Sequence, residues 1–218
     1  MTADKLTGNF NSIAPYYDAL AHLVFGQTLE WAQASLLNKL QGSNTILILG
    51  GGSGWILEEI FRQEIKAEKI IYIDSSKQMI SLSKDRLDGL PNSFQTSVNL
   101  IHGSHLDIPE QSFDAIITFF FLDLFQEDRL GKLLADLKTK LHKGGIWLVC
   151  DFFNENRSWW KGLLISTMYT FFGLMSGLGN RKLPPIKVKM EENELTLIEE
   201  KKWKKGLVKA LAYKKSGI

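Results

Sequence analysis

A short apolar run that ends in closely spaced glycines constrains the fold of this chain more than any other feature. Residues 46–49 are Ile-Leu-Ile-Leu, and Gly-Gly-Gly-Ser-Gly follows at 50–54. The apolar run predicts a buried strand, and the glycines predict a sharp turn that a ligand can approach closely, because no Cβ stands in its way. Residues 55–61 predict a helix, so the free N–H groups of its first turn would face whatever lies over the glycines.

A second apolar run, Ile-Ile-Tyr-Ile at 70–73, ends in Asp74, twenty residues after Gly54. This spacing places a carboxylate beside the glycine turn, which is how nucleotide-binding folds contact ribose hydroxyls. The alternative is that Asp74 only caps the helix that follows, a role that Ser75 or Ser76 could also fill.

The spacing of the glycines discriminates between classes of ligand. A dinucleotide site requires G-x-G-x-x-G, but the sixth position is Trp55 when counted from Gly50 and Leu57 when counted from Gly52. No Lys-Ser or Lys-Thr pair follows the glycines, which excludes a P-loop. The spacing that remains is G-x-G-x-G.

Further stretches resemble the class I S-adenosylmethionine-dependent methyltransferases. Residues 74–79 (D-S-S-K-Q-M) are similar to that family's D-x-S-x-x-M motif, residues 113–118 (F-D-A-I-I-T) to its fourth strand, and residues 141–147 (L-H-K-G-G-I-W) to the entry of its fifth. Residues 10–18 resemble the opening of the members that modify quinones and other small molecules, where Tyr17 matches a tyrosine of a lid over the cofactor.

The resemblance implies an α/β fold, with a doubly wound, Rossmann-like sheet of seven mostly parallel strands and an antiparallel C-terminal pair. The apolar pattern independently predicts alternating strands and helices, which favours a parallel sheet. The predicted helices are 11–26, 28–40, 53–64, 76–88 and 127–141, and the predicted strands are 45–49, 69–74, 98–102, 113–119, 145–152, 195–202 and 206–214.

We expect residues 1–218 to form a single methyltransferase domain. Its parts would be an N-terminal helical lid (1–42), a cofactor-binding core (43–152), a helical insertion that covers the substrate (153–185) and the terminal strand pair (186–218). The length of the chain fits one domain.

The resemblance implies S-adenosyl-L-methionine as the cofactor and S-adenosyl-L-homocysteine as the product. The glycines would face the methionine part and the ribose, Asp74 would accept the ribose hydroxyls, and Met79 could pack on the adenine. The cofactor-binding residues that it implies are Tyr17, Gly50, Gly51, Gly52, Gly54, Asp74, Ser75, Met79, Ser104, His105, Leu106, Phe119 and Phe120.

Two positions depart from the family pattern. Ser104 stands where the family often has an aspartate that faces the adenine amine, and Ile48 stands where much of the family has an acid. Asp18 or Asp123 could substitute for the missing acid. The alternative reading is a catalytically inactive cofactor-binding or interaction protein of the same fold.

The predicted activity is methyl transfer to an unidentified, lipophilic or aromatic small molecule. Residues 119–125, Phe-Phe-Phe-Leu-Asp-Leu-Phe, follow the fourth predicted strand and would supply both core side chains and an apolar wall beside the methyl group. A general base is needed only if the acceptor must lose a proton. Tyr17, His22 and Asp123 are the candidates.

Residues 162–180 contain no charged side chain. Glycines and hydroxyl side chains dilute their apolarity, which disfavours a transmembrane helix. An acceptor pocket, a homodimer contact, a peripheral membrane contact and core packing are the alternatives. Residues 181–218 carry eleven Lys/Arg against five Asp/Glu, which either favours an anionic partner or reflects a solvated strand pair.

Composition excludes several other classes of function. The net charge of +2 argues against a nucleic-acid-binding protein. The single Cys150 excludes an internal disulfide framework and cysteine metal clusters, and His102 and His105 have no third ligand at helical spacing, so no metal is expected. Because no apolar segment of secretory type opens the chain, we expect a cytoplasmic protein.

Overall fold

The structure is a computed structural model that describes residues 25–91, 96–154 and 183–217. The helices in the described part are α1 Thr28–Ala34, α2 Trp55–Arg62, α3 Lys77–Asp88, α4 Glu127–Lys140 and α5 Ile186–Glu192. The strands are β1 Thr45–Leu49, β2 Lys69–Asp74, β3 Ser97–His102, β4 Phe113–Phe119, β5 Leu141–Phe152, β6 Leu195–Trp203 and β7 Val208–Lys215.

These seven strands form one sheet in the order β3-β2-β1-β4-β5-β7-β6. Strands β1 to β5 are parallel to one another, and β7 is antiparallel to both β5 and β6. This arrangement confirms the predicted doubly wound sheet with an antiparallel C-terminal pair.

Successive strand residues point to opposite faces of the sheet, and in the inner strands β1, β2 and β4 both sets of side chains are buried. In β1, Ile46 and Ile48 belong to an apolar cluster that includes Leu57 of α2. Leu47 belongs to a second cluster on the other face, together with Leu134 of α4. A strand that packs on both faces reads as a continuous apolar run, and β1 does so from Ile46 to Leu49.

The predicted bounds of three strands, 45–49, 69–74 and 113–119, are confirmed. The prediction of one helix over 28–40 was wrong, since α1 ends at Ala34 and a separate 3₁₀ turn covers Leu37–Leu40. The Ser35 hydroxyl donates to the Ala32 carbonyl (2.8 Å), and a serine that bonds to the backbone in this way competes with continued helix.

Two further elements differ from the prediction by more than two residues. Strand β5 starts at Leu141 rather than at 145, because its first residues pass through a bulge opposite β4 in which Gly144 has a φ of 75°. Helix α5 was not predicted. Its seven residues bury only Ile186 and Met190, too few for a helical period to stand out in the sequence.

Several predictions concern residues outside the described part. These are the helix at 11–26, the lid residue Tyr17, His22, Asp18 and the uncharged segment 162–180. Within residues 25–91, 96–154 and 183–217, no helix is long and apolar enough to cross a membrane.

Asp114 joins β4 to β1 at the edge opposite the glycine turn. Its Oδ2 accepts hydrogen bonds from the N–H groups of Asn44 (3.0 Å) and Thr45 (2.9 Å) and from the Thr45 hydroxyl (2.9 Å). Burial alone would raise the pKa of Asp114, but these hydrogen bonds outweigh it and the pKa is lowered.

We expect Asp114→Ala to lower the free energy of unfolding by about 1.5–3 kcal/mol at pH 7, the range for hydrogen bonds to a charged group. Because the folded-state pKa lies below the unfolded one, this stabilisation is present above the unfolded pKa and is lost as the pH falls through the folded pKa. Urea titrations of both proteins from pH 7 to pH 3 measure this loss. A difference that stayed constant over this range would show that packing, and not charge, is responsible.

Candidate functional site

The site lies at the carboxyl edge of the sheet, where the strand order reverses. β1 has β2 on one side and β4 on the other, and the connections from these strands leave on opposite faces. A crevice opens at such a point in doubly wound sheets, and ligands bind there.

The glycine turn follows β1 directly, and its glycines differ in what surrounds them. Gly52 has a φ of 67°, and a Cβ built on it would meet no atom within 4 Å. A Cβ on Gly51 would lie 2.1 Å from the Tyr72 ring, and one on Gly54 would lie 2.7 Å from the Ser83 backbone. Gly51 and Gly54 are therefore required for packing, whereas Gly52 borders open space.

A buried hydrogen-bond network holds the turn from below. The Tyr72 hydroxyl donates to the Gly52 carbonyl oxygen (2.9 Å), and Ser83 Oγ lies 2.8 Å from the same oxygen. Burial raises the pKa of Tyr72, so its hydroxyl stays protonated. With its carbonyl held in this way, Gly52 keeps open space only on the side where a Cβ would stand.

Asp74 ends β2 beside this turn, as the spacing predicts. Its Oδ2 accepts from the Gly52 N–H (2.9 Å) and its Oδ1 from the Ser76 N–H (2.8 Å). The side chain that caps α3 is that of Ser76, which accepts from the Met79 N–H (3.2 Å). A carboxylate has about four acceptor positions, so Asp74 keeps capacity for a ligand. Burial raises the pKa of Asp74, although the hydrogen bonds from Ser76 and Gly52 oppose the shift.

The turn after β3 lies next to Asp74, whose carbonyl accepts from the Gly103 N–H (3.0 Å). The Ser104 hydroxyl accepts from the Leu106 N–H (3.2 Å) and lies 3.1 Å from Asp107 Oδ2. Asp107 Oδ2 also accepts from the Ser104 N–H (2.7 Å), and these hydrogen bonds lower the pKa of Asp107. An exposed carboxylate therefore lies against the position where the family has its aspartate.

Sequence reasoning missed Asp107. The signal was the Ser-x-x-Asp spacing, which is that of a capping box, and the structure forms this box around the 3₁₀ turn His105–Asp107. In this capping box the Asp107 carboxylate accepts from the backbone N–H of Ser104, three residues earlier in the chain, and so lies at the Ser104 position.

The other predicted residues of this edge have different surroundings. The Leu106 side chain is 72% exposed, whereas Met79 is buried. Ser75 is exposed, and its carbonyl lies 3.1 Å from His102 Nε2. The His105 ring is half-buried and meets the Phe125 ring edge-on at 5.7 Å, and burial lowers the pKa of this imidazole. In the described part of the chain, no three His, Cys, Asp or Glu side chains could hold a metal ion.

Aromatic side chains border the crevice after β4. Phe119 is buried in the core. Phe120 has a φ of 50°, a strained value for phenylalanine that is typical of functional sites, and its ring lies 4.9 Å from that of Phe152. Phe121 faces the glycine turn, since a Cβ on Gly50 would lie 2.7 Å from its ring.

The position of the missing acid and one of the candidate bases fall within the described part of the chain. Ile48, at the position of the missing acid, is buried in the core. Asp123 lies in the 3₁₀ turn Leu122–Leu124, at the carboxyl end of β4 and beside β5. Tyr17 and His22 are among the residues that the structure does not describe.

The described residues fit the cofactor that the resemblance implies. Gly52 provides backbone that a ligand can approach, Asp74 a carboxylate with remaining acceptor positions for hydroxyls, and Leu106 an exposed apolar surface for a flat ring. Asp107 adds a second carboxylate that could accept from an amine.

Comparisons with known proteins agree with this geometry. Residues 46–145 match the family described as a methyltransferase domain. The ubiquinone/menaquinone biosynthesis C-methyltransferase UbiE of Geobacter sulfurreducens is 24% identical over 193 residues, which cover 84% of this chain and 73% of that protein. The demethylmenaquinone methyltransferase of Porphyromonas gingivalis is 25% identical over 162 residues, which cover 72% of this chain and 64% of that protein.

Solved structures show the same fold. The mitomycin 7-O-methyltransferase MmcR has a TM-score of 0.68 at 13% identity and covers 97% of this chain, which spans 62% of MmcR. The N-methyltransferase NodS from Bradyrhizobium japonicum, in complex with S-adenosyl-L-homocysteine, has a TM-score of 0.59 at 12% identity, with 86% of this chain and 87% of NodS covered.

Proposed function

Since the chain is a class I S-adenosylmethionine-dependent methyltransferase, we propose that it methylates a lipophilic, aromatic small molecule of the quinol type. The observation that carries the proposal is the order of groups along one edge of the sheet. Asp74 lies after β2, the open Gly52 after β1, and the phenylalanines after β4. A polar ligand and an apolar one would then meet over the glycine turn.

The cofactor side of the site is assigned to β1, β2 and β3. Asp74 would accept the two ribose hydroxyls, and the backbone at Gly52 would lie along the methionine part. The exposed Leu106 would pack on the adenine, with Asp107 in reach of its amine. These roles are supported by the two occupied oxygens of Asp74, which fix its carboxylate beside Gly52.

The acceptor side is assigned to the aromatic residues after β4. Phe120 and Phe121, which are half-buried, offer apolar and aromatic surface, and such faces also attract a sulfonium by the cation–π effect. The bound cofactor supplies an electrophilic methyl group. The residues of this chain would hold the acceptor in line with it and exclude water, which is where most of the rate comes from.

The quinol type of acceptor comes from the relatives. Two of them are named for ubiquinone and menaquinone biosynthesis or for demethylmenaquinone, and the apolar character of the β4 side supports the same class here. The family match and the relatives give no support to a catalytically inactive protein.

The remaining proposals concern organisation and location. We propose a single domain, supported by the one sheet that contains every described strand. The cytoplasmic location, the homodimer and the peripheral membrane contact stay predictions.

Binding of S-adenosyl-L-homocysteine tests the cofactor assignment. We expect this ligand to raise the melting temperature, because a ligand that binds only the folded state stabilises it by mass action, while NAD and ATP at equal concentration have little effect. Asp74→Ala should weaken binding by about 1.5–3 kcal/mol, the range for hydrogen bonds to a charged acceptor, as measured by isothermal titration calorimetry. Asp85→Ala, which removes an exposed carboxylate from α3, is the matched control.

Two outcomes would contradict the assignment. A shift with NAD and none with S-adenosyl-L-homocysteine would overturn the cofactor, and unchanged affinity in Asp74→Ala would remove that residue from the site. The acceptor is tested by incubation with S-adenosyl-L-methionine and a series of short-chain naphthoquinols, with methylated product detected by mass spectrometry. Methylation of polar catechols in preference to the lipophilic naphthoquinols would overturn the proposed acceptor class.

A further inference from the structure

Two buried hydroxyl groups converge on one carbonyl oxygen of the glycine turn. Tyr72 and Ser83 are both fully buried. Their hydroxyl oxygens lie 2.9 Å and 2.8 Å from the Gly52 oxygen, and 3.0 Å from each other. We call these two side chains the hydroxyl clamp. Burying a hydroxyl costs free energy unless it is hydrogen-bonded, and phenylalanine and alanine would fill nearly the same space without that cost. Packing alone therefore does not account for the hydroxyl clamp.

The hydroxyl clamp has a proton for the Gly52 oxygen whichever way its hydroxyls turn. Burial raises the pKa of Tyr72, the hydrogen bond from Ser83 opposes this shift, and the charge of Asp74 adds to it, so the Tyr72 hydroxyl remains a donor. Ser83 Oγ also lies 2.9 Å from the Met79 carbonyl. When Ser83 donates there or to Tyr72, the Tyr72 proton is available for the Gly52 oxygen. Each hydroxyl can thus replace the other.

The same glycine is held on its other side by Asp74. The Gly52 N–H donates to Asp74 Oδ2 (2.9 Å), and the Ser76 N–H donates to Asp74 Oδ1 (2.8 Å). The N–H of Gly52 precedes its φ rotation and the carbonyl follows its ψ rotation, so the hydrogen bonds at both ends together restrain both dihedrals. Glycine has more conformational freedom to lose than any other residue. The hydroxyl clamp therefore helps to set where the Gly52 N–H points, and with it the orientation of Asp74 Oδ2.

Two other glycines of the turn make room for the hydroxyl clamp. A Cβ on Gly51 would overlap the Tyr72 ring, and a Cβ on Gly54 would lie 2.7 Å from Ser83 Cα. A Cβ on Gly52 would meet no atom within 4 Å. The turn is thus fitted to the two clamp residues on its buried side and stays open at Gly52.

A turn that is ordered before the ligand arrives binds more tightly than one that the ligand has to order. The cost of fixing the backbone of one residue corresponds to about 5- to 30-fold in affinity. The hydroxyl clamp meets this cost when the protein folds, so binding does not meet it again.

We propose that Tyr72 and Ser83 are positioning residues for the cofactor, which hold Gly52 and, through its N–H, the Asp74 carboxylate in the orientation that accepts the ribose hydroxyls. The inference rests on the proposed function, in which Asp74 accepts these hydroxyls, and adds the two residues that prepare Asp74 for them. Both clamp side chains are fully buried, so they act through Gly52 and not by touching the ligand.

Hydrogen exchange of the Gly52 amide tests the hydroxyl clamp in the ligand-free protein. By NMR at pH 7, this amide should exchange at least about 5-fold faster in the double variant Tyr72→Phe/Ser83→Ala than in the native protein, because the freed glycine leaves Asp74 more often. Each single variant should show a smaller increase, since the remaining hydroxyl still reaches the carbonyl. Equal exchange in the native protein and the double variant would overturn the proposal.

Thr45→Val is the matched control for this measurement. It removes a hydroxyl that is hydrogen-bonded to Asp114 (2.9 Å) in the same sheet, at the edge opposite the glycine turn. The variant should lower the melting temperature and leave exchange of the Gly52 amide unchanged. If Thr45→Val accelerates that exchange as much as the double variant does, a general loss of stability explains both, and the proposal is wrong.

Isothermal titration calorimetry with S-adenosyl-L-homocysteine tests the consequence for binding. At 25 °C the double variant should bind this ligand about 5- to 30-fold more weakly than the native protein, and Thr45→Val should bind it as the native protein does. An analogue that lacks both ribose hydroxyls tests the route through Asp74. The double variant should lose little affinity for this analogue, which gains nothing from the orientation of Asp74. Equal losses for the two ligands would mean a general loosening of the site and would overturn the proposal.

The outcomes separate this inference from the proposed function. If the native protein and the double variant bind S-adenosyl-L-homocysteine equally while Asp74→Ala binds it weakly, the positioning role is wrong and the cofactor assignment stands. If the native protein does not bind S-adenosyl-L-homocysteine, the proposed function fails and the positioning role fails with it.

Discussion

Gly52→Val is expected to weaken the binding of S-adenosyl-L-homocysteine by about 30- to 150-fold. Gly52 is the glycine of the turn that borders open space, so a valine would place its two methyl groups where the ligand has to lie. Forcing extra carbon atoms into a filled space costs about 2–3 kcal/mol, which corresponds to this loss of affinity. Isothermal titration calorimetry at 25 °C measures it directly.

The control has to separate lost space from backbone strain, because Gly52 has a φ of 67° and a β-branched residue is strained there. Gly42 has a φ of 85°, also with open space around it, and precedes β1 at the opposite edge of the sheet. Gly42→Val should therefore lower the melting temperature by a similar amount and leave binding unchanged. Equal affinity in both valine variants would place the ligand away from Gly52.

The strands at the centre of the sheet could be predicted from the sequence because each is buried on both faces. Residues 45–49, 69–74 and 113–119 are short apolar runs that end at a glycine, an acid or an aromatic cluster. Such runs leave little freedom in where a strand begins and ends. The glycine turn and Asp74 followed from them, because the carboxyl ends of parallel strands meet at one edge.

The side-chain networks of the site could not be predicted in the same way. Tyr72 and Ser83 both reach the Gly52 carbonyl, but they are eleven residues apart, on a strand and on a helix. Their meeting depends on how α3 packs on the sheet. Local patterns carry no information about that packing, and a tyrosine within an apolar strand is ordinary.

Burial and the interaction with Asp123 raise the pKa of Asp151, and this interaction shows the same limit. Asp151 is the single acid in the otherwise apolar end of β5, and it drew no attention as a residue of a buried strand. Only the parallel register of β4 and β5, together with the 3₁₀ turn Leu122–Leu124, brings the carboxyl groups together. A buried strand that contains an acid was the signal, because such a group needs a partner.

Gly51→Ala is expected to destabilise the fold more than any other substitution in the turn. The new Cβ would lie 2.1 Å from Tyr72 Cζ and 2.3 Å from Cε2. Tyr72 is fully buried, and its hydroxyl is hydrogen-bonded to the Gly52 carbonyl, so its ring cannot move aside without breaking that bond. We expect a loss of about 3 kcal/mol, at the upper end for overpacking, and a fall in melting temperature of roughly 6–12 °C for a chain of this size.

A second substitution at Tyr72 identifies the clash as the cause. Tyr72→Leu removes the ring atoms that the alanine meets, so the double variant Gly51→Ala/Tyr72→Leu should be less destabilised than the sum of the single variants, as a double-mutant cycle in urea would show. Tyr72→Phe keeps Cζ and Cε2 and should give no such rescue. Additive losses with leucine would mean that Gly51 is required for its own backbone conformation. Equal rescue by phenylalanine would assign the clash to the hydroxyl alone, since only that atom differs between tyrosine and phenylalanine.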